Sequence, residues 1–190
     1  MITKLIPEEY IYDGTQLSSR FIAKVAELPG DACVSFFGPA DVPTDNLVDK
    51  EDRLAGATIK SARMVHFLIR MEGRSLETAV AFQRLIMAGV LENLIKITDQ
   101  AGWAREGDDI YLTDKTGKRK LSVSIATTGG AGDCFIHIGV NVISEGAPIP
   151  AIGLADLGVN ERAFADGVLA LVDRELSGLL HAAAKVRPVK

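Results

Sequence analysis

The chain is poor in the residues that mark disulfide scaffolds, nucleic-acid binders and membrane spans. Two cysteines, Cys33 and Cys134, stand about 100 positions apart among 190 residues. A secreted disulfide framework carries more cysteines in a shorter chain, so both are expected to be reduced core thiols. Positive charge is also short: 21 Lys and Arg against 25 Asp and Glu leave a net charge of −4. That balance lacks the cationic field on which nucleic-acid binding rests, and it argues against an anionic membrane surface too. The longest apolar stretches, such as that around Phe135 to Ile143, reach about nine residues and include His and Asn, under half of what a helical span needs. The start Met1-Ile-Thr-Lys-Leu5 has no basic segment followed by an apolar run and a small-residue cleavage site, so a cytoplasmic location is expected.

Apolar residues, by contrast, are plentiful. They make up 47% of the chain, and with 18 glycines counted they exceed the usual ~45–50%. Disorder is excluded, and a homo-oligomer contact is possible. At the usual ~150 residues per domain, the length predicts a single domain over 1–190.

Along the chain, Ile6 to Tyr12 reads as a strand ending in the turn Asp13-Gly14. Leu17 to Leu28 places Phe21, Ile22, Val25 and Leu28 at helical spacing before Pro29-Gly30 stops the helix. Cys33 to Phe37 is a second strand. Gly38 to Ala57 has no sustained period and is acidic, with Asp41, Asp45, Asp49, Glu51 and Asp52, so it reads as a long loop; such loops are often functional. Ala62 to Met71 is a β-branched and aromatic strand, followed by Ser75 as N-cap for a helix from Leu76 to Asp99. Ala79, Leu85, Ile86, Val90, Leu94 and Ile97 repeat there at three- and four-residue spacing.

From Asp109 the pattern predicts a meander: Ile110 to Thr113, a turn through Asp114 to Gly117, a strand Lys120 to Thr127, a Gly129-Gly-Ala-Gly132 turn, and Cys134 to Ile143. Neighbours in such hairpins are antiparallel. Asn160 caps a last helix from Glu161 to about Ala183. The order of elements indicates an α+β fold with a mixed, largely antiparallel sheet and helices packed mainly on one face.

Alternation along strands sorts the polar groups. In Cys134 to Ile143, Ile136, Ile138, Val140 and Val142 share one face, and Phe135, His137, Gly139 and Asn141 the other. In Lys120 to Thr127, Leu121, Val123 and Ile125 oppose Lys120, Ser122, Ser124 and Ala126. With the aliphatic faces under the helices, the opposite sheet face is expected to gather His137, Asn141, Lys120, Ser122 and Ser124, and Gly139 to leave room for a ligand. His66, in phase with Met64 and Leu68, reads either as a core histidine or as a ligand contact. His181 has no polar company. Thr127-Thr-Gly-Gly-Ala-Gly132 lacks the strand-to-helix context and terminal Lys-Ser/Thr of a phosphate loop, and reads as a hairpin turn. No compact catalytic motif is present, so any chemistry must come from dispersed residues.

Asp13-Gly-Thr-Gln-Leu17, Asn46-Leu-Val-Asp-Lys-Glu-Asp52 and Met64-Val-His-Phe67, in that order, resemble the family catalogued as domain of unknown function 366, over nearly the whole chain. That family has no settled activity. Its fold resembles the biotin and lipoate protein ligases and the cores of class II aminoacyl-tRNA synthetases. Lys120-Leu-Ser-Val-Ser-Ile125 followed by Ile138-Gly-Val-Asn-Val142 is similar to the ligases' lysine-bearing strand and Gly-x-Asn strand. The resemblance implies that Lys120 meets the carboxylate or phosphate of an acyl-adenylate-like ligand, where a fixed cation stabilises negative charge. It also places Asp13, Gln16 and Arg20 near the site. The Arg/Gly-rich adenylate loop of the ligases is absent, and Leu54-Ala-Gly-Ala-Thr-Ile-Lys60 stands near its place.

Three functions therefore compete. One is an enzyme of ligase or acyltransferase type that binds a carboxylate-bearing or nucleotide-like small molecule, with Lys120 and His137 as catalytic candidates. Around them the expected contacts are His66, Asn141, Ser122, Ser124, Gly139, Asp49, Asp52 and Arg53. A second is a small-molecule-binding protein without chemistry, closed by the acidic loop. The third is a metal site built from His66, His137 and Asp49. The sequence identifies no cofactor.

Overall fold

The computed structural model describes residues 1–27 and 29–189. Among the described residues, eight strands and four α-helices follow in chain order. They are β1 (Ile2–Leu5), α1 (Ser19–Ala26), β2 (Ala32–Val42), α2 (Lys50–Leu54), β3 (Ile59–Met71), α3 (Leu76–Ile97), β4 (Trp103–Glu106), β5 (Asp109–Asp114), β6 (Gly117–Lys120), β7 (Ser122–Thr128), β8 (Cys134–Ile143) and α4 (Glu161–Ala184). Five strands form the main sheet in the order β1-β2-β3-β8-β7, and β4-β5-β6 form a separate small sheet. β1 runs parallel to β2, and the other pairings are antiparallel. The fold is the α+β arrangement expected, with a mixed sheet.

Both long helices begin at the caps their sequences announce: Ser75 accepts from the Thr78 backbone N–H and Asn160 from that of Ala163. α3 and α4 pack on each other and on one face of the sheet, against Val65, Phe67, Ile69, Ile136, Ile138 and Val140. α3 has the length and composition of a bilayer-crossing helix. Its apolar residues Ala79, Phe82, Ile86, Val90 and Leu94 are instead spent on this core. The other sheet face is covered in its inner half by α1 and the segment from Ile6 to Tyr12, over Val34, Phe36, Leu68 and Phe135.

Several boundaries differ from the sequence reading. The first strand is Ile2–Leu5 rather than Ile6–Tyr12, because Pro7 lacks the N–H that would continue a ladder. The later segment still follows β2 through single bonds, from Tyr10 N–H to the Phe37 carbonyl and from Tyr12 N–H to that of Pro39. α1 is shorter than Leu17 to Leu28: Ser18 caps it and Glu27 ends it in a left-handed conformation, φ 66°. Leu28 lies outside the described residues. The expected loop from Gly38 to Ala57 is partly regular: β2 continues to Val42, a short 3₁₀ turn covers Thr44–Asn46, and Asp49 caps the one-turn α2. β4 has no counterpart in the expected meander.

The expected strand Lys120 to Thr127 is two strands. β6 ends at Lys120 in the small sheet, and β7 starts at Ser122 in the main sheet. Leu121, wholly buried, is the corner between them, and its N–H bonds the Ile110 carbonyl. The register of β7 on β8 also differs from the one on which the polar-face reading depended. Ser122 lies opposite Val140 and Ser124 opposite Ile138, whereas Val123 lies opposite Gly139 and Ile125 opposite His137. Directly paired residues point to the same side of a sheet. Ser122 and Ser124 therefore belong to the helix face, and Val123 and Ile125 share the face of the histidines.

Gly38 lets the Ile6–Tyr12 segment lie this close to β2, since a Cβ there would sit 1.9 Å from the Tyr10 carbonyl oxygen. Gly38→Ala is expected to cost roughly 1–3 kcal/mol in urea unfolding through overpacking. Gly130→Ala, with nothing within 4 Å of the added Cβ, is expected to stay within about 0.5 kcal/mol of wild type.

Candidate functional site

On the histidine face, His66 of β3 lies opposite Gly139 of β8, and His137 lies opposite Leu68. The missing side chain of Gly139 lets the two imidazoles meet. His66 Nδ1 and His137 Nε2 are 3.1 Å apart, and His66 Nε2 is 3.3 Å from the Gly38 carbonyl oxygen. Tyr12 stacks on both rings, with centroids 4.9 Å from His66 and 3.9 Å from His137. His66 is fully buried and His137 is 3% exposed. Burial pushes the imidazolium form out of both: His66 falls to about 3, and His137 is held well below the usual histidine range by burial and by the neighbouring ring. The pair is neutral at physiological pH.

The face continues past His137 toward Asn141. A cleft of about 390 Å³ opens there. Its floor is apolar, from Met64, Val123 and Ile125, and His137 and Asn141 lie along it. One wall is the segment Leu47 to Lys60, with Asp49 and Asp52, and the other brings Asp108, Asp109, Lys120 and the stretch from Ala147 to Ala151. Gly139 does not itself provide open space, because Met64 and Val123 fill the volume above it.

Lys120 stands at the outer end. Its N–H donates to the Pro150 carbonyl, and its own carbonyl accepts from Ile152 N–H at 3.0 Å and from the Asn141 carboxamide at 3.4 Å. Its ammonium pairs with Asp109 Oδ2 at 2.7 Å, both side chains being at most a quarter exposed. Burial raises the Asp109 carboxyl above the ordinary aspartate range, and the Lys120 ammonium opposes that rise. Asp108 is engaged by the Gln83 carboxamide at 2.8 Å and the Ser124 hydroxyl at 3.1 Å.

The structure thus brings Lys120, His137, Asn141, Asp49 and Asp52 around one cleft, with His66 behind His137. Ser122 and Ser124 border the cleft, but their hydroxyls are turned to structural partners: Ser122 accepts from Ile110 N–H, and Ser124 donates to the Asp108 carbonyl. Asp13 and Gln16 lie apart from it and lock a turn. Asp13 accepts from the Thr15 backbone and hydroxyl, Gln16 bridges Asp13 N–H and the Ile11 carbonyl, and Asn46 donates to the Asp13 carbonyl. Arg20 is exposed on α1, and Arg53 faces Asp45 at 3.8 Å on the surface. Asp49 accepts from the Glu51 and Asp52 N–H groups as the cap of α2.

The three-ligand metal set does not assemble. Both nitrogens of His66 are engaged within the protein, and among the described residues no group of three or more His, Cys, Asp or Glu is placed to hold an ion. Sequence patterning missed Tyr12, Lys60, Asp108 and Asp109. Only the adjacent acidic pair before Ile110 was a signal, and without the register at Leu121 nothing connected it to the cleft.

The family model described as "Domain of unknown function (DUF366)" matches residues 1–187. An uncharacterized protein of Methanocaldococcus jannaschii, MJ0805, is 33% identical over 160 residues, which cover 79% of this chain and 67% of that protein. A solved protein of unknown function from Pyrococcus horikoshi is 31% identical, with TM-score 0.90 and coverage of 99% of this chain and 98% of the other. The biotin protein ligase from Aquifex aeolicus in complex with biotin and ATP superposes with TM-score 0.57 at 12% identity, covering 92% of this chain and 70% of the ligase. The fold is that of the biotin and lipoate protein ligases.

The neutral histidine pair makes stability depend on pH in a definite direction. Unfolded histidines take up protons near pH 6.5, whereas these two resist protonation in the fold. Their contribution is therefore complete above pH 6.5 and is lost as pH falls toward the folded values. Urea unfolding at pH 7.5 and 5.0 should show a loss of roughly 3–4 kcal/mol from the two groups together. A His66→Phe/His137→Phe variant should lose much less over the same interval. An unchanged slope in that variant would place the acid sensitivity elsewhere.

Proposed function

The chain belongs to the DUF366 family, and from that premise we propose that its cleft binds a carboxylate-bearing or nucleotide-like small molecule, with Lys120 as the charge partner. The observation that carries this reading is the convergence, in one concave site, of an apolar floor and a few polar groups from distant parts of the chain: Lys120, Asn141, His137 and the wall at Asp49 and Asp52. Lys120 has three N–H donors, and Asp109 takes one. The others are available to an anion, and the pairing with Asp109 holds the ammonium in place before a ligand arrives. The solved ligase with biotin and ATP shares the fold, which supports small-molecule binding as the role of the sheet face.

Binding without turnover is a second reading. It is favoured by the stretch Leu54 to Lys60, which has only Lys60 as a cation where the ligases carry an Arg/Gly-rich loop, and Lys60 faces Asp41 at 3.2 Å. Turnover of ATP with a carboxylic acid would decide for the enzyme.

The test is calorimetric binding of biotin, octanoate and ATP to wild type and to Lys120 variants. At least one of these anions should bind, and Lys120→Ala should lose about 1.5–3 kcal/mol of affinity, tenfold or more. The same change leaves the half-buried Asp109 without its partner and should cost about 1–3 kcal/mol of stability. Asp109→Asn/Lys120→Met should recover most of that stability but not the affinity. Equal affinity in wild type and both variants would remove Lys120 from the site, and no binding of any of the three anions would remove the reading.

A further inference from the structure

His137 carries a polar atom that the fold orients but does not use. The Gly38 carbonyl only accepts hydrogen bonds, so the His66 nitrogen facing it, Nε2, carries a proton. A neutral His66 then has a bare Nδ1, which requires a proton on His137 Nε2, 3.1 Å away. A neutral His137 in turn has a bare Nδ1. The chain of bonds from a backbone carbonyl through two rings therefore sets the tautomer of the second ring.

That Nδ1 has no protein partner among the described residues. It is also not enclosed: the fully buried side-chain polar atoms left without a partner are Ser35 Oγ and Arg119 Nε. The ring lines the cleft, and Tyr12 covers one of its flat faces. We propose that His137 Nδ1 is the hydrogen-bond acceptor by which the cleft selects its ligand, so that the ligand is an anion bearing an N–H or O–H donor separated from its charge by an apolar part. This rests on the reading of the cleft as a small-molecule site.

The geometry sets the shape of that ligand. His137 and Asn141 are four residues apart on one strand face, about 13 Å at the usual rise. Asn141 bonds the backbone carbonyl of Lys120, whose ammonium reaches Asp109 on the cleft wall, so the cation and the acceptor face one cleft from different strands. Between them stand Met64 and Val123, with no hydrogen-bonding side-chain group. The anion goes to Lys120, an apolar middle lies on Met64 and Val123, and the donor reaches His137.

Two measurements test this. In ¹⁵N spectra of the imidazoles at pH 7.5, His137 should carry its proton on Nε2 with Nδ1 bare, and a proton on His137 Nδ1 overturns the inference while leaving the Proposed function standing. In calorimetry, 8-hydroxyoctanoate should bind wild type about fivefold or more tighter than octanoate. In His137→Phe, which keeps ring volume but has no acceptor, that preference should vanish or reverse. Both acids binding wild type with equal affinity, or a preference unchanged in the variant, overturns the selection by His137 alone. If neither acid binds wild type, the selection fails, while the reading of the cleft then stands or falls with biotin and ATP. Should His137→Phe not fold, the tautomer and the wild-type preference still decide.

Discussion

The central strands β3, from Met64 onward, and β8, as far as Val142, are buried on both faces, and the rest of the structure answers to that constraint. A strand covered on one side can place polar residues outward; one covered on both must satisfy each of them internally. His66 and His137 sit on these strands, and the arrangement that satisfies them is a line of bonds closed at one end by the Gly38 carbonyl. Gly38 and Gly139 both serve this arrangement. One admits the Tyr10 backbone, which brings Tyr12 over the rings, and the other removes the Cβ that would stand at the side of the His137 ring.

Much of the fold was legible because its signals are local. Ser75 and Asn160 announced the long helices, and the period of Ala79, Ile86, Val90 and Leu94 gave the buried face of α3, whereas Leu85 and Ile97, expected on that face, are exposed. The alternation in Cys134 to Ile143 separated the aliphatic residues from His137 and Asn141 correctly, as the pairing with β3 bears out. The phase between neighbouring strands was not legible. It is set by the turn from Gly129 to Asp133, which pairs Thr128 with Cys134 and thereby puts Ile125, not Ser124, opposite His137. Alternation within each strand leaves that offset open, because β7 reads equally well in either phase.

The consequence for the site is specific. An in-phase strand would have lined the cleft with Ser122 and Ser124 and made its floor polar. The actual register supplies Val123 and Ile125, and the serines tie β7 to Ile110 and Asp108 instead. Lys120 keeps its place at the cleft for a different reason than strand parity. It is held by the Pro150 carbonyl, Ile152 N–H and Asn141, so the segment after β8 fixes its backbone. Motifs carried by family resemblance divide in the same way. Met64 and His66 are part of the sheet face at the site, whereas Asp13 and Gln16 build a turn that Asn46 fastens to the wall segment.

The two halves of the histidine face show why a cleft exists where it does. In the inner half, Phe36, Leu68 and Phe135 present enough apolar surface to hold α1, and the face is closed. In the outer half, Met64, Val123 and Ile125 are apolar too, but Asn141, Lys120, Asp109, Asp49 and Asp52 surround them, and a helix laid there would have to desolvate those groups. Water or a ligand with its own polar ends is the occupant that meets both requirements. His137 stands at the boundary, with one nitrogen committed to the closed half and the other left to the open half. The same chain of bonds that makes the closed half stable thereby determines the neutral acceptor that the open half offers, while Asp109 separately holds the Lys120 cation at the cleft wall.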